Sequence, residues 1–265
     1  MNELQKAYKN NNLILFVGAG VSMNIKLPSW DDLINHLADE LQYDKDIFHT
    51  FGDYQSLAEY YIIKKNGIGE LRSWMDVNWH NDMENKVKNS EIYKLIANLD
   101  FPIIYTTNYD NSLEIAHKYY KKDFVKITGV KDIKNIHTTK RQIIKFHGDF
   151  TDDDSIVLSE SSYFERLDFD TPLDIKFRSD VLGKSILFIG YSLSDINIRF
   201  IFYKLAKTWE ESGQKENRPP LFVFTSKTNP IQQEVLRTRG IEMISSDEDD
   251  RGKALEEFLN KINEE

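Results

Sequence analysis

The stretch Leu13-Ile-Leu-Phe-Val-Gly-Ala-Gly-Val-Ser22 decides how the chain is read. Five consecutive apolar residues, Leu13 to Val17, have no polar face. That is the pattern of a strand buried on both sides of a parallel sheet. The run enters Gly18-Ala19-Gly20 directly, and Ser22 follows. Glycine lets a backbone come close to a pyrophosphate, whose charge then favours the start of a following helix. The same residues also describe a plain strand-to-helix turn. The dehydrogenase fingerprint G-x-G-x-x-G fails here, because position 23 is Met23, and no G-x-x-x-x-G-K-[ST] loop is present.

Outward from this strand, further apolar runs read as six more strands. They are IIYTTNYD (103–110, ending in polar residues), DFVKITG (123–129), QIIKFHGD (142–149), SILFIGYSLSD (185–195), PLFVFTSK (220–227) and GIEMIS (240–245). Helical spacing is expected over 2–10, 30–41, 90–99, 195–208 and 229–239, and from about 251. Strands alternating with helices predict an α/β fold, a Rossmann-like parallel sheet with helices on both faces. Residues 44–99 lack strand signals and scatter aromatics such as Trp74 and Trp79 among helix-like segments. The expected organisation is therefore one domain over 1–265. Residues 1–43 and 100–265 form its core, and 44–99 are an inserted helical module. Residues 149–181 are expected to be irregular, a flap or short helical lobe with YFERL as a helical turn.

Composition excludes several function classes. A net charge of −9 argues against a duplex-binding face, and the short basic runs Lys64-Lys65 and Lys118–Lys122 read as solvated helix ends. Direct nucleic-acid binding is not expected. With no cysteine, structural disulfides, Cys-ligated zinc and a Cys nucleophile are all excluded. The N-terminal stretch is polar, and its first apolar run is far shorter than a signal or membrane segment. A cytoplasmic protein with no membrane partner is expected.

Four strand ends carry polar clusters: GAGVS (18–22), TTNYD (106–110), HGD (147–149) and GYSLSD (190–195). In an open parallel sheet, ligands sit at the carboxyl ends of strands, so the four define one crevice. Asn108 can bond a ribose hydroxyl or position a water. Asp110 can accept from a carboxamide N–H, or form an Asx-turn or helix cap. His147 titrates nearest neutrality and suits proton transfer, though a structural histidine fits the same position. Ser192 reads as a hydroxyl near a phosphate or ribose, or as a helix cap. A nucleophile elbow is excluded, because position 194 is serine and no histidine follows His147. No His-based metal spacing is present.

GAGVS, TTNYD, FHGD and GYSLSD, in this order, resemble the sirtuin superfamily. LPSW (27–30), IVLSESSY (156–163) and IGYSLSDINIR (189–199) resemble its bacterial sirtuin-like branch from antiphage defence systems. The resemblance covers roughly residues 10–245. It implies a domain that binds NAD as substrate, without a metal, and cleaves the nicotinamide–ribose bond. It implies catalytic roles for Asn108 (nicotinamide ribose and attacking water) and His147 (base). It implies NAD contacts from Gly18, Ala19, Gly20, Ser22, Thr107, Asp110 (carboxamide), Gly190, Ser192 and, on the adenosine side, Thr225. Protein-deacylating sirtuins carry a four-cysteine zinc module, a P-D-F-R element and a glutamine before the asparagine. Here there is no cysteine, Pro28-Ser29-Trp30 lacks the arginine, and Thr107 replaces the glutamine. The expected function is an NAD+ glycohydrolase, the NAD-depleting effector of a defence system. Control is expected from a homo-oligomer and from a regulatory subunit that is ATPase- or helicase-like or senses a nucleotide. The alternatives are a non-catalytic module that binds NAD or an ADP-ribose derivative and, behind it, an NAD-dependent deacylase.

Overall fold

A computed structural model describes residues 1–134, 140–167, 170–191 and 196–264, apart from the side chains of 154, 167 and 196–198. Its strands are β1 (Leu13–Val17), β2 (Ile103–Thr106), β3 (Phe124–Ile127), β4 (Arg141–Lys145), β5 (Ser185–Ile189), β6 (Leu221–Thr225) and β7 (Ile241–Ser245). They form one sheet in the order β3-β4-β2-β1-β5-β6-β7. Every pairing is parallel. The α/β, Rossmann-like expectation holds.

The register levels the strand ends. Val17 lies opposite Thr106 on one side and Ile189 on the other, and Thr106 lies opposite Lys145. The loops after β4, β2, β1 and β5 therefore leave the sheet along one edge. From β1 the chain first builds β2 to β4 on one flank, then returns to build β5 to β7 on the other. This reversal opens a crevice at the carboxyl end of β1.

Alternation along the strands separates two apolar layers. Leu13, Leu15 and Val17 face the helices Asn2–Lys9, Trp30–Glu40, Glu91–Asn98 and Arg251–Ile262. Ile14 and Phe16 face Pro172–Gly183, Ile196–Glu211 and Pro230–Thr238. Between 44 and 99 lie the helices Lys45–His49, Tyr54–Lys65, Gly69–His80, Met83–Lys88 and Glu91–Asn98. Phe48, Leu57, Tyr61, Leu71 and Met75 from these helices join the same apolar layer as Leu13 and Leu15.

Residues 149–181 are more regular than the sequence suggests, with helices Glu160–Leu167 and Pro172–Gly183. The second helix starts at a capping box between Thr171 and Asp174, with Pro172 in its first turn. It buries Leu173, Phe177 and Val181 but exposes Ile175 and Leu182, so its apolar residues mark no single face. Among the described residues, no helix is long and apolar enough to cross a membrane.

Candidate active site

The crevice is a cavity of about 810 Å³. Ala19, Gly20, Ser22, Thr107, Asn108, Asp110, His147, Gly190 and Thr225 all line it. Gly18 does not line it, and Ser192 lies outside the described residues. The ends of β4 and β6 are four strand spacings apart, about 19 Å, which suits an elongated ligand laid across the sheet edge.

The glycine turn is built for backbone packing against β5. The amide of Gly18 donates to Ile189 O (2.9 Å), Gly20 to Gly190 O (2.9 Å) and Val21 to Gly18 O (3.1 Å). A Cβ on Gly18 would come within 2.6 Å of Gly190 O, and one on Gly20 within 2.8 Å of the same atom. Gly190 itself has φ +72°, a left-handed conformation that favours glycine. Two main chains thus cross at a separation that a side chain would prevent. Ala19, between the two glycines, remains at the cavity wall.

Asn108 is held by this turn. Its Nδ2 donates to Gly18 O (3.1 Å) and to Ser22 Oγ (2.9 Å). Because Gly18 O can only accept, the amide orientation is determined. Asn108 Oδ1 then remains as a buried acceptor without a partner. Ser22 Oγ donates to Asp110 Oδ2 (2.8 Å), and Ser112 bonds Asp110 Oδ1 through its amide (3.0 Å) and its hydroxyl. The amide bond is an Asx-turn, one of the two local roles the sequence allows Asp110. Asp110 Oδ2 still has acceptor capacity toward the cavity. Tyr93 meets Ser22 (3.2 Å) and Ser112 (2.7 Å). Burial, and then the Asp110 charge, push its phenol far up, so it serves as a neutral donor.

His147 follows β4 and is buried, with Tyr163 edge-on at 5.4 Å. Burial first, and then the nearby Arg166 guanidinium, lower its pKa to about 3. The ring is therefore a neutral imidazole at physiological pH. Arg166 lies over the Phe146 ring at 4.4 Å and pairs with Asp174 at 2.8 Å. Gly148 turns the chain at φ +99°, where a Cβ would strike Ser155 O.

A charged floor supports the site. The fully buried Lys145 ammonium bonds the main-chain carbonyl of Asp110 and lies 3.7 Å from Glu114 and 3.8 Å from Asp149. Asp149 also pairs with Lys126 at 3.0 Å. Burial pushes the Asp149 carboxyl up, but bonds from Thr151 and the Lys145 and Lys126 charges outweigh it and hold the pKa below the usual range. Lys145 thus ties the Asn108–Asp110 loop to the His147–Asp149 loop.

The other two sequence candidates bond within the protein. Thr107 Oγ1 bonds Tyr191 OH (2.9 Å), which also donates to Val17 O (3.0 Å). Thr225 Oγ1 closes its own turn with Lys227. Other lining residues come from segments far from the four polar clusters: Trp30, Tyr54, Trp79, Tyr163 and Arg251. Trp30 stacks on Tyr54 at 5.8 Å, and Tyr54 OH donates to Asp31 (2.6 Å), which pushes the phenol up to about 12. Of these, the sequence motifs signal Trp30, through LPSW, and Tyr163, through IVLSESSY. Among the described residues, no His, Asp and Glu group is arranged to hold a metal ion.

The family profile described as a SIR2-like domain matches residues 102–244. NAD(+) hydrolase ThsA of Bacillus cereus (strain MSX-D12) is 29% identical over 221 residues, covering 81% of this chain and 44% of that protein. NAD(+) hydrolase ThsA of Enterococcus faecium is 30% identical over 208 residues, covering 76% of this chain and 41% of that protein. Defense-associated sirtuin 2 of Bacillus subtilis is 28% identical over 257 residues, covering 93% of this chain and 24% of that protein. The chain thus spans less than half the length of these curated relatives. The match takes in β2 through most of β7, including the Asn108 and His147 loops, and the chain belongs to the SIR2-like domain family.

Proposed function

We propose that this chain is an NAD+ glycohydrolase, releasing nicotinamide and ADP-ribose. The observation that carries the reading is the buried, unpartnered Asn108 Oδ1, held in place by Gly18 and Ser22 in a cavity shared with a neutral His147. Nicotinamide in NAD+ is a cationic leaving group. As its bond to C1′ breaks, the bonding electrons leave with the neutral ring and the sugar becomes oxocarbenium-like. Asn108 Oδ1 accepts a hydrogen bond from the incoming water or the adjoining ribose hydroxyl and so orients it. Water oxygen bonds to C1′, and the imidazole takes up the released proton. A neutral ring suits this role, because an imidazolium would repel both the pyridinium and the developing sugar cation. The names of the ThsA relatives support the reaction.

The test is nicotinamide release from NAD+ alone, without any acylated peptide. Asn108→Ala and His147→Ala are each expected to lower the rate by at least a hundredfold. Full activity in either variant would overturn the assignment. Nucleotide binding without release would favour a sensing module, and peptide-dependent release a deacylase.

We also propose that the protein works in the cytoplasm as the NAD-depleting effector of a defence system, under control of self-association or a regulatory subunit. The name of the Bacillus subtilis relative supports the defence role. The control follows from the chemistry, since unrestrained NAD+ cleavage would kill the cell that makes the enzyme. Light scattering of the purified protein, with and without its genomic neighbours, tests it against nicotinamide release.

A further inference from the structure

Trp79 sits near the end of the helix Gly69–His80, far in sequence from the polar strand ends. Its indole stacks on Tyr109 (6.2 Å between centroids, 16° between planes) and meets Phe150 edge-on at 5.7 Å. Tyr109 follows Asn108, and Phe150 lies three residues beyond His147. These two contacts place the indole at the catalytic end of the cavity, which it lines. Trp79 is only 8% exposed, and its Nε1–H has no acceptor among the described residues. A buried donor left without an acceptor is costly, so native structures rarely keep one without a use.

We propose that Trp79 Nε1–H donates to the carbonyl oxygen of the substrate's carboxamide and is a specificity-determining residue of the site. This rests on the NAD+ reading above. A carboxamide has an acceptor side and a donor side. Asp110 Oδ2, with one bond from Ser22, can receive the N–H side. It cannot serve the carbonyl, because both are acceptors. An indole N–H donates and never accepts, so Trp79 supplies the complementary half. Together the two groups read which way round the carboxamide lies, and so fix the rotation of the nicotinamide ring about its bond to C1′. The helices between 44 and 99 thereby contribute directly to substrate selection.

Trp79→Phe removes the N–H and keeps a ring against Tyr109 and Phe150. The probes are carba-NAD, whose ring cannot leave, and ADP-ribose, which has no ring, both titrated by calorimetry into the whole chain. The variant is expected to bind carba-NAD about tenfold more weakly than the native protein, and ADP-ribose within about twofold. Equal effects on the two ligands, or none, overturn the proposal. In the native protein, the 3-acetylpyridine dinucleotide keeps the carbonyl and should bind several-fold more tightly than the unsubstituted pyridine dinucleotide. Equal binding of those two also overturns it, and needs no variant. If the native protein releases nicotinamide while these ratios stay flat, only the role of Trp79 falls. If it binds neither carba-NAD nor ADP-ribose, the NAD+ reading falls with it.

Discussion

Ser22 carries one hydroxyl, and three side chains meet on it: Asn108, Asp110 and Tyr93. Its proton goes to Asp110, and its lone pairs take the Asn108 amide and the Tyr93 phenol. Ser22→Ala would leave Asp110 Oδ2 without its donor and Asn108 Nδ2 with one acceptor instead of two. The expected loss is about 1–3 kcal/mol of stability, read by denaturant titration. Nicotinamide release is expected to fall at least tenfold, because Asn108 Oδ1 would no longer be held at one angle. This wiring is invisible in the sequence. Ser22, Tyr93 and Asn108 are distant along the chain; the sequence brings GAGVS and TTNYD to one crevice, and only the fold shows that the Ser22 hydroxyl joins them.

At the scale of elements, the crossing of the β1 and β5 loops is the tightest contact. Gly18→Ala would drive a methyl into Gly190 O and the Tyr191 ring, at 2.6 and 2.7 Å. Gly190 O cannot yield without shifting main chain, and the Tyr191 ring is held by its hydroxyl's bonds to Thr107 and Val17. A stability loss of about 2 kcal/mol or more is expected, with a matching fall in melting temperature. The strands were readable because buried parallel strands are unbroken apolar runs, as in Leu13–Val17 and Ser185–Ile189. The helices Ser112–Tyr119 and Pro172–Gly183 were not. The first buries Glu114 and His117 as well as Leu113, so its inward face is partly polar. The second is apolar on both its buried and its exposed sides. For the site, the polar strand ends announce themselves because polar residues stop each apolar run. Trp79 reaches the same cavity on a helix whose sequence reads as ordinary packing.

The whole molecule carries a pH dependence set by buried histidines. Burial first, and then Arg166, lower His147 to about 3; burial first, and then Arg141, lower His117 to about 4. His36 is also lowered, chiefly by burial. The His147 and His117 rings stay neutral in the fold down to about these values but protonate near pH 6.5 once unfolded, so the unfolded chain binds more protons. Stability is therefore full above about pH 6.5 and declines as the pH falls toward 4, by about 1.4 kcal/mol per unit for each fully buried ring. Denaturant midpoints at pH 7, 6 and 5 check this, and His117→Gln is expected to flatten the slope. On the proposed reaction, the charged floor bears on the cell's redox state. Asp110, Glu114 and Asp149 outnumber Lys126 and Lys145 by one negative charge, while Arg166 is offset by Asp174. That surplus attracts a pyridinium and has no such pull on the uncharged dihydropyridine of NADH. NADH is therefore expected to compete at least several-fold more weakly than carba-NAD in the nicotinamide-release assay. An enzyme built on this floor would drain the electron acceptors of metabolism and spare the carriers already loaded with electrons, stalling oxidation before it starves biosynthesis of reducing power.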